Sequence, residues 1–204
     1  MALQTIAESF HRLAVQLEAG DDAAIEVASF SKACDHVSVL FGCLGIAFKF
    51  AERDYVAKVS GCSVQDLLQA SKEFETLQSM LEMDVKQNSV RTGGSHSRNL
   101  LRVKRGIDMV RVLFEQILLS EGDSLRECAT KAYDQVFALH HSWTIRKAVG
   151  AGMYLIPSKS QFLKKLNEDD SSARIHMQEY ITVAAPVIKY VENLFTISDL
   201  GIDW

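Results

Sequence analysis

Residues that break helices are scarce in this chain. Its 204 residues include only two prolines and eleven glycines, so long helices can form without interruption. Strand-like alternation of apolar and polar residues is missing as well. The apolar spacing predicts helices over 3–18, 23–31, 33–59, 63–82, 97–120, 124–138, 141–155, 159–166 and 172–196. The prediction is one all-α domain over residues 1–204, with its helices packed in layers.

Long apolar runs are also missing. No stretch approaches the ~18–20 residues that a membrane-spanning helix requires. The first residues, MALQTIAESFHRLAVQL, lack a charged start followed by an apolar signal core, and they are typical of an amphipathic helix. The sequence therefore predicts a cytoplasmic protein.

The cysteines and histidines show no metal or redox pattern. The four cysteines, at positions 34, 43, 62 and 128, are widely spaced and form no CxxC pair. Adjacent His140 and His141 point to different faces of a helix and cannot act as an i, i+4 metal pair. No motif for an activated nucleophile accompanies His141 and Asp54, the two groups that could serve a hydrolase as acid and base. We predict no metal, no cofactor and no enzymatic activity.

The formal net charge of −4 argues against a general nucleic-acid binder, which is normally basic overall. It does not exclude a local basic patch, and the helix predicted over 97–120 carries one. On a helical wheel, Arg98, Arg102 and Arg105 fall on one face, and this face continues into apolar residues. A separate strip of Lys104, Asp108, Arg111 and Glu115 has ion-pair spacing and is expected to face solvent.

The helix predicted over 33–59 ends its apolar face with two charged residues, Asp54 and Lys58. Burying unpaired charge is costly, so such residues need partners or a ligand. One interpretation is an ion pair between Asp54 and Arg98 or Arg102 that joins two helices. The other is a phosphate site, because guanidinium groups match phosphate with paired hydrogen bonds and Lys58 adds a point charge. Helix geometry alone leaves both open, whereas Arg105 fits a structural or surface role better.

Four segments together resemble the glycolipid transfer protein family. They are FGCLGIAFKFAERDYVAKV, SHSRNLLRVKRGIDMVRVLFEQI, LHHSWTIRKAVGAGMYLIPSKSQFL and the closing ISDLGIDW. The combination of RDxxxK, RNLLRxKRG and HxW followed by a basic residue is specific, although each motif alone would be weak. The resemblance covers nearly the whole chain and is strongest to the plant branch that transfers ceramide-1-phosphate. It implies a two-layer helical sandwich of about eight or nine helices that encloses a lipid pocket.

The resemblance also implies the residues of a head-group site. Asp54 matches the aspartate that holds the sphingolipid amide, and His141 matches the histidine that contacts the ceramide carbonyl. Lys58 and Arg98 match residues of the phosphate-binding branch. Arg102 stands where glycolipid binders have a tryptophan that stacks on the sugar. Because a sugar would leave these cations without a partner, the site should select phosphate and reject glycolipids.

The lipid chains would need a dry pocket between the helices. Candidate lining residues are apolar or small and lie on three predicted helices: Val37, Phe41, Leu44, Phe48, Ile107, Val110, Phe114, Ala148, Ala151 and Gly152. Sequence does not separate pocket lining from ordinary core.

The membrane contact is expected around Trp143, which matches an aromatic residue at the membrane-facing mouth of family members. Simple packing is the alternative for this side chain. Arg146 and Lys147 could meet anionic lipid head groups, or they could belong to an ordinary solvated helix face.

We therefore predict an intermembrane carrier of ceramide-1-phosphate and related phosphorylated sphingolipids, cytoplasmic and peripheral at membranes. Its resemblance to the plant branch implies a connection with programmed cell death. The expected partners are the lipid and, transiently, a membrane, with no nucleic acid and no metal. The alternative is a sensor that binds the same lipid and acts through a protein partner.

Overall fold

Helices account for the regular structure of this protein. The computed structural model describes residues 1–20, 23–45 and 63–204, and within them it contains nine α-helices and two short 3-10 helices. The α-helices are α1 (Ala2–Leu17), α2 (Val27–Leu44), α3 (Ser63–Ala70), α4 (Leu77–Lys86), α5 (His96–Leu119), α6 (Leu125–Val136), α7 (Trp143–Gly152), α8 (Lys159–Lys165) and α9 (Asp170–Ile197). The 3-10 helices are Ala138–His140 and Met153–Leu155. The all-α prediction is confirmed. That residues 1–204 form a single domain stays a prediction.

Several predicted boundaries were wrong, including the end of the predicted helix 33–59, since α2 ends at Leu44. The predicted break between 31 and 33 does not exist, because α2 runs unbroken from Val27 to Leu44. The predicted helix 63–82 is two helices, because Thr76 starts α4 with a capping box shared with Ser79. The segment between them bonds to the start of α2: the Val27 amide donates to the Glu75 main-chain oxygen at 2.9 Å.

The central element is α5, which packs against α2, α3, α4, α6 and α9. Its side chains are buried on most of its circumference. The hydroxyl of the fully buried Tyr180 on α9 donates to the Ile107 carbonyl on α5 at 2.9 Å. The ring of Tyr180 meets Phe10 and Phe114 edge to face, at 5.0 and 5.4 Å between ring centroids. This contact joins α1, α5 and α9 in one core.

The charged strip of α5 does not face solvent, contrary to expectation. Lys104 is only 7% exposed, and its Nζ lies 2.8 Å from Glu192 Oε1 on α9. Arg111 bridges Asp108 and Glu115 along the strip, at 2.7 and 2.6 Å. The physical reason is that α9 covers this side of α5, so the strip is half-buried beneath it and compensated by ion pairs.

The first turn of α5 is held by two carboxylates. The buried Asp84 accepts hydrogen bonds from the amide of Ser97 at 2.7 Å and from its hydroxyl at 2.6 Å. Ser95, the N-cap residue of α5, accepts from the Arg98 amide at 3.1 Å. These bonds satisfy free amides at the helix start and fix the turn that carries Arg98.

The second carboxylate, Asp66 on α3, pairs with His96 at 2.8 Å and accepts from Asn99 Nδ2 at 3.1 Å. Burial would raise the pKa of Asp66, but hydrogen bonds from His96 and Asn99 outweigh it, and the pKa lies below its ordinary value. The hydrogen bond to Asp66 raises the pKa of His96 against an opposing effect of burial. A charged pair therefore ties α3 to the start of α5.

This pair should make stability depend on pH. The contribution of His96 is fully present below its ordinary pKa of about 6.5 and is lost as pH rises through the raised folded-state pKa. The contribution of Asp66 is present above about pH 3.9 and is lost as pH falls through its lowered pKa. The difference in free energy of unfolding between wild type and His96→Gln, measured in urea from pH 4.5 to 8.5, should be largest near pH 5–6.

The matched control is His11→Gln, which removes a histidine from the exposed face of α1. A difference for His96→Gln that grows toward pH 8.5, after subtraction of this control, would contradict the account.

Candidate functional site

Three arginines follow one another along one face of α5. Arg98, Arg102 and Arg105 are all half-buried, and the i, i+4 spacing places the first two about 6 Å apart along the helix axis. Beyond them the same face continues into side chains that are 1% exposed or less: Met109, Val112 and Leu113. A row of cations thus leads directly into the apolar core, as predicted.

Arg98 and Arg105, the first and last residues of the arginine face, are fixed by hydrogen bonds to main-chain oxygens. The Arg98 guanidinium donates to the main-chain oxygen of Arg91 at 3.3 Å. The Arg105 guanidinium donates to the main-chain oxygens of Ile202 and Trp204, both at 2.8 Å. This fits the structural role that sequence favoured for Arg105.

His141 lies between the 3-10 helix Ala138–His140 and α7. Its Nδ1 is 2.9 Å from the hydroxyl of Tyr133 on α6, and its ring stacks on Phe137 with 5.5 Å between centroids and 20° between planes. Burial raises the pKa of Tyr133, helped by Asp134 and opposed by Arg146, so the phenol keeps its proton. A hydrogen bond joins this phenol to Nδ1 of His141, and its direction follows the tautomer of the imidazole. With Tyr133 as the donor, a neutral His141 carries its own proton on Nε2.

The neighbouring His140 belongs to a different environment. Burial lowers the pKa of His140, and the positive charge of Arg105 lowers it further, while Asp203 acts in the opposite direction. The two adjacent histidines therefore lie in different surroundings.

Three predicted site residues, Asp54, Lys58 and Phe48, lie outside the described residues. Their roles stay predictions. The structure therefore brings the cations of α5 together but does not test whether Lys58 joins them.

The predicted pocket residues fall into two groups. Six of them are 1% exposed or less and belong to the core: Val37, Phe41, Leu44, Ile107, Val110 and Phe114. In contrast, Ala148 and Ala151 are exposed and Gly152 is half-buried, because α7 contains no buried residue. The structure places these three apart from the core, and their contact with a lipid chain stays a prediction.

Large apolar side chains are exposed around α7. Trp143 is 67% exposed and Tyr154 is 75% exposed. We call the apolar rim the set Leu139, Trp143, Ile145, Tyr154 and Leu155, all at least 47% exposed. Cations accompany its aromatic rings: Lys147 Nζ is 5.6 Å from the Trp143 ring centroid, and Arg126 Cζ is 4.7 Å from that of Tyr154.

Exposed aromatics flanked by cations suit a membrane surface, where one end of the side chain is apolar and the other is wet. Trp143 is therefore not packed in the core, and its contact with a membrane stays a prediction. None of the helices that the structure describes has the length and hydropathy of a membrane span.

Sequence reasoning missed several residues around this site. Tyr133 gave no signal, because its partner His141 is on a different element of the chain. The exposure of Leu139 and Tyr154 could have been predicted. These large apolar residues flank α7, a helix with small residues, and this pattern indicates exposed apolar surface. Arg91 and Trp204 were missed because their contacts join distant positions.

Comparisons with known proteins agree with this architecture. The model of the family described as Glycolipid transfer protein (GLTP) matches residues 25–168. The chain is 54% identical to Accelerated cell death 11 of Arabidopsis thaliana over 203 residues, which is 99% of this chain and 96% of that protein. It is 28% identical to a ceramide-1-phosphate transfer protein of Danio rerio, over 77% of this chain and 78% of that protein.

The fold matches a crystal structure of a point mutant of the Arabidopsis protein complexed with C12 ceramide-1-phosphate. The TM-score is 0.94 at 53% identity, and the match covers 100% of this chain and 98% of the other. An all-α architecture, an arginine face above an apolar core and a family model matched over most of the chain lead to one conclusion. This chain belongs to the glycolipid transfer protein family.

Proposed function

We propose that this protein binds ceramide-1-phosphate, and related phosphorylated sphingolipids, and carries them between membranes. The Arabidopsis relative, at 54% identity, has been crystallised with ceramide-1-phosphate, and the zebrafish relative is named for its transfer. Similarity of this extent supports the same lipid class for this chain.

The observation that carries the proposal is the pair Arg98 and Arg102 on one half-buried face of α5. A phosphomonoester has up to two negative charges and three strong acceptor oxygens. Two guanidinium groups a turn apart provide paired donors for these oxygens, and Lys58 would add a third charge. A neutral sugar in the same place would offer these half-buried cations no negative charge, so the site should favour the phosphate.

His141 would hold the amide region of the lipid together with Asp54. A ceramide carbonyl needs a hydrogen-bond donor, and a bond donated by Tyr133 to Nδ1 would leave the proton of His141 on Nε2 to meet it. Tyr133 is therefore a positioning residue, because it acts on the lipid through His141.

Transfer requires reversible docking at a membrane. The apolar rim offers two exposed aromatic rings with Lys147 and Arg126 beside them, so it would enter the interface while the cations meet lipid phosphates. Capture of the head group at Arg98 and Arg102 would follow, and the chains would then leave water for the apolar interior. Each buried methylene contributes about 0.8 kcal/mol, so a bound lipid is held firmly.

In this mechanism no covalent bond is made or broken, and the protein is a carrier rather than an enzyme. It would act in the cytoplasm, peripherally at membranes. Programmed cell death is the process to which the name of the Arabidopsis relative points. The ligand should be recovered chemically unchanged after long incubation with the protein.

The head-group proposal is tested by Arg102→Leu, which leaves an apolar side chain and removes the charge. We expect a loss of about 2–4 kcal/mol of binding free energy, or an affinity for ceramide-1-phosphate reduced about 30-fold or more. Asp54→Val should also abolish transfer. Transfer between vesicles is measured by energy transfer from a fluorescent ceramide-1-phosphate, and folding is checked by thermal unfolding.

The matched control is Arg174→Leu, an arginine on α9 whose partner is Asp170 on the same exposed turn. Undiminished transfer by both Arg102→Leu and Asp54→Val would remove the proposed mechanism. Tight binding by the wild type without transfer would instead favour the sensor.

The positioning role of Tyr133 is tested by Tyr133→Phe, which keeps the ring and removes the hydroxyl. We expect the affinity for ceramide-1-phosphate to fall about tenfold, the size of effect seen when supporting hydrogen bonds of other binding sites are removed. The ¹⁵N shifts of His141 should show the Nε2–H tautomer in the wild type and a mixture in the variant. Tyr154→Phe is the control, since it removes an exposed hydroxyl. Unchanged shifts and affinity in Tyr133→Phe would refute the role.

The apolar rim is tested by the double variant Trp143→Ala/Tyr154→Ala. Sedimentation with anionic vesicles should show partitioning reduced about tenfold or more, because two large rings no longer leave water. Affinity for ceramide-1-phosphate, measured by native mass spectrometry, should stay the same. The control is Ile175→Ala/Ile197→Ala, which truncates exposed apolar side chains of α9. Equal partitioning of the two double variants would show that the rim does not dock.

A further inference from the structure

The residues after α9 fold back onto the beginning of α5. Arg105 on α5 donates to the main-chain oxygens of Ile202 and Trp204, both at 2.8 Å. Arg91, in the loop before α5, donates to the main-chain oxygen of Leu200 at 3.0 Å. Arg91, which precedes the arginine face, and Arg105, which ends it, thus both donate hydrogen bonds to one short segment. This segment, residues 198–204, we call the closing segment.

The closing segment has a defined shape of its own. The indole Nε1 of Trp204 donates to the main-chain oxygens of Leu200 and Gly201 at 3.1 and 3.0 Å, which closes the segment on itself. Gly201 makes this turn possible with a φ of +68°, a conformation that residues with a Cβ rarely adopt. The Trp204 ring lies 6.3 Å from the ring of the fully buried Phe195, which anchors the segment to α9.

The same indole also holds Arg91. The Arg91 guanidinium carbon lies 5.3 Å from the centroid of the Trp204 ring, a cation–π contact, in addition to its bond to Leu200. The main-chain oxygen of Arg91 in turn accepts from the Arg98 guanidinium at 3.3 Å. A continuous chain of contacts therefore runs from Trp204 through Arg91 to a head-group arginine.

The closing segment also compensates the buried positive charge of Arg105, the third residue of the arginine face. Arg105 stands one turn after Arg102, on the same face. Burial lowers the pKa of Arg105; Asp203 of the closing segment opposes this, while Arg102 and Arg98 lower it further. Crowded cations repel each other, so oxygens of the closing segment reduce the cost of holding the arginines together.

We propose that the closing segment, with Trp204 at its centre, is a positioning element of the head-group site, holding Arg91 and Arg105 so that Arg98 and Arg102 are preorganised for the lipid phosphate. The inference rests on the proposed function, because it names what sets the geometry of that same site. It separates the arginines into two that bind phosphate and two that support them. Preorganisation raises affinity because donors that are already in place lose little freedom on binding.

The test compares two ligands that differ only in the phosphate: C12 ceramide-1-phosphate and C12 ceramide, each titrated and detected by native mass spectrometry. Trp204→Ala should lower the affinity for ceramide-1-phosphate about tenfold, as loss of a supporting shell does at other sites, and change that for ceramide less than about twofold. Trp204→Phe keeps the ring over Arg91 and against Phe195, so it should restore most of the phosphate preference.

A second variant alters the hydrogen bonds from Arg105 to the closing segment. Arg105→Lys keeps the charge, but its ammonium lies on a shorter side chain than the Nη2 group that donates to both oxygens, so it should also reduce the phosphate preference. If Trp204→Ala does not fold, Arg105→Lys still tests the positioning role of the closing segment. The control, Ile197→Ala, truncates a side chain that is 84% exposed just before the closing segment.

The outcomes distinguish the inference from the function on which it rests. A wild type that does not prefer ceramide-1-phosphate over ceramide would overturn the proposed function. A wild type with that preference, unchanged in Trp204→Ala and Arg105→Lys, would overturn only the positioning role. Equal losses for both ligands, with a lowered melting temperature, would show that the closing segment merely stabilises the fold.

Discussion

Burying charge along α5 is the constraint on which the rest of this structure depends. The helix runs through the middle of the molecule with neighbours on most sides, and yet it carries cations and carboxylates along its length. Each of these groups loses hydration and needs a compensating partner. Lys104 forms an ion pair with Glu192, and Arg111 forms ion pairs with Asp108 and Glu115. The amide of Ser97 donates a hydrogen bond to Asp84.

The arginine face meets the same constraint in a different way. Among the described residues, Arg98 donates to the main-chain oxygen of Arg91, and Arg105 donates to those of Ile202 and Trp204. These oxygens orient the two guanidinium groups at the edge of the apolar core, and Asp203 offsets part of the positive charge of Arg105. Such an arrangement favours an anionic group with an apolar body, and a phosphorylated sphingolipid has this composition.

The sequence predicted the features that depend on local periodicity. The all-α class, the length of α5 and the arginine face follow from 3.6-residue spacing, and the family resemblance supplied the identity of the head group. The prediction of a solvent-facing strip was wrong because its exposure depends on α9, which begins more than 50 residues further along the chain. A wheel shows which residues share a face, but it does not show what covers that face.

The contacts that support the site were not predictable for the same reason. Tyr133 meets His141 across a change of direction between helices, and Trp204 meets Arg91 across more than 100 residues. Neither pair follows a helical repeat, so no pattern in the sequence indicates it. The break before Thr76 was a local signal that sequence reasoning overlooked, since Thr76 and Ser79 have the spacing of a helix start.

The central claim, that clustered cations select a phosphate head group, is tested most directly by competition. The protein would be incubated with equimolar ceramide-1-phosphate, ceramide and galactosylceramide of one chain length, and the complexes counted by native mass spectrometry. The account predicts that the ceramide-1-phosphate complex dominates and that high salt reduces its share. A galactosylceramide complex equal to or greater than it would contradict the account.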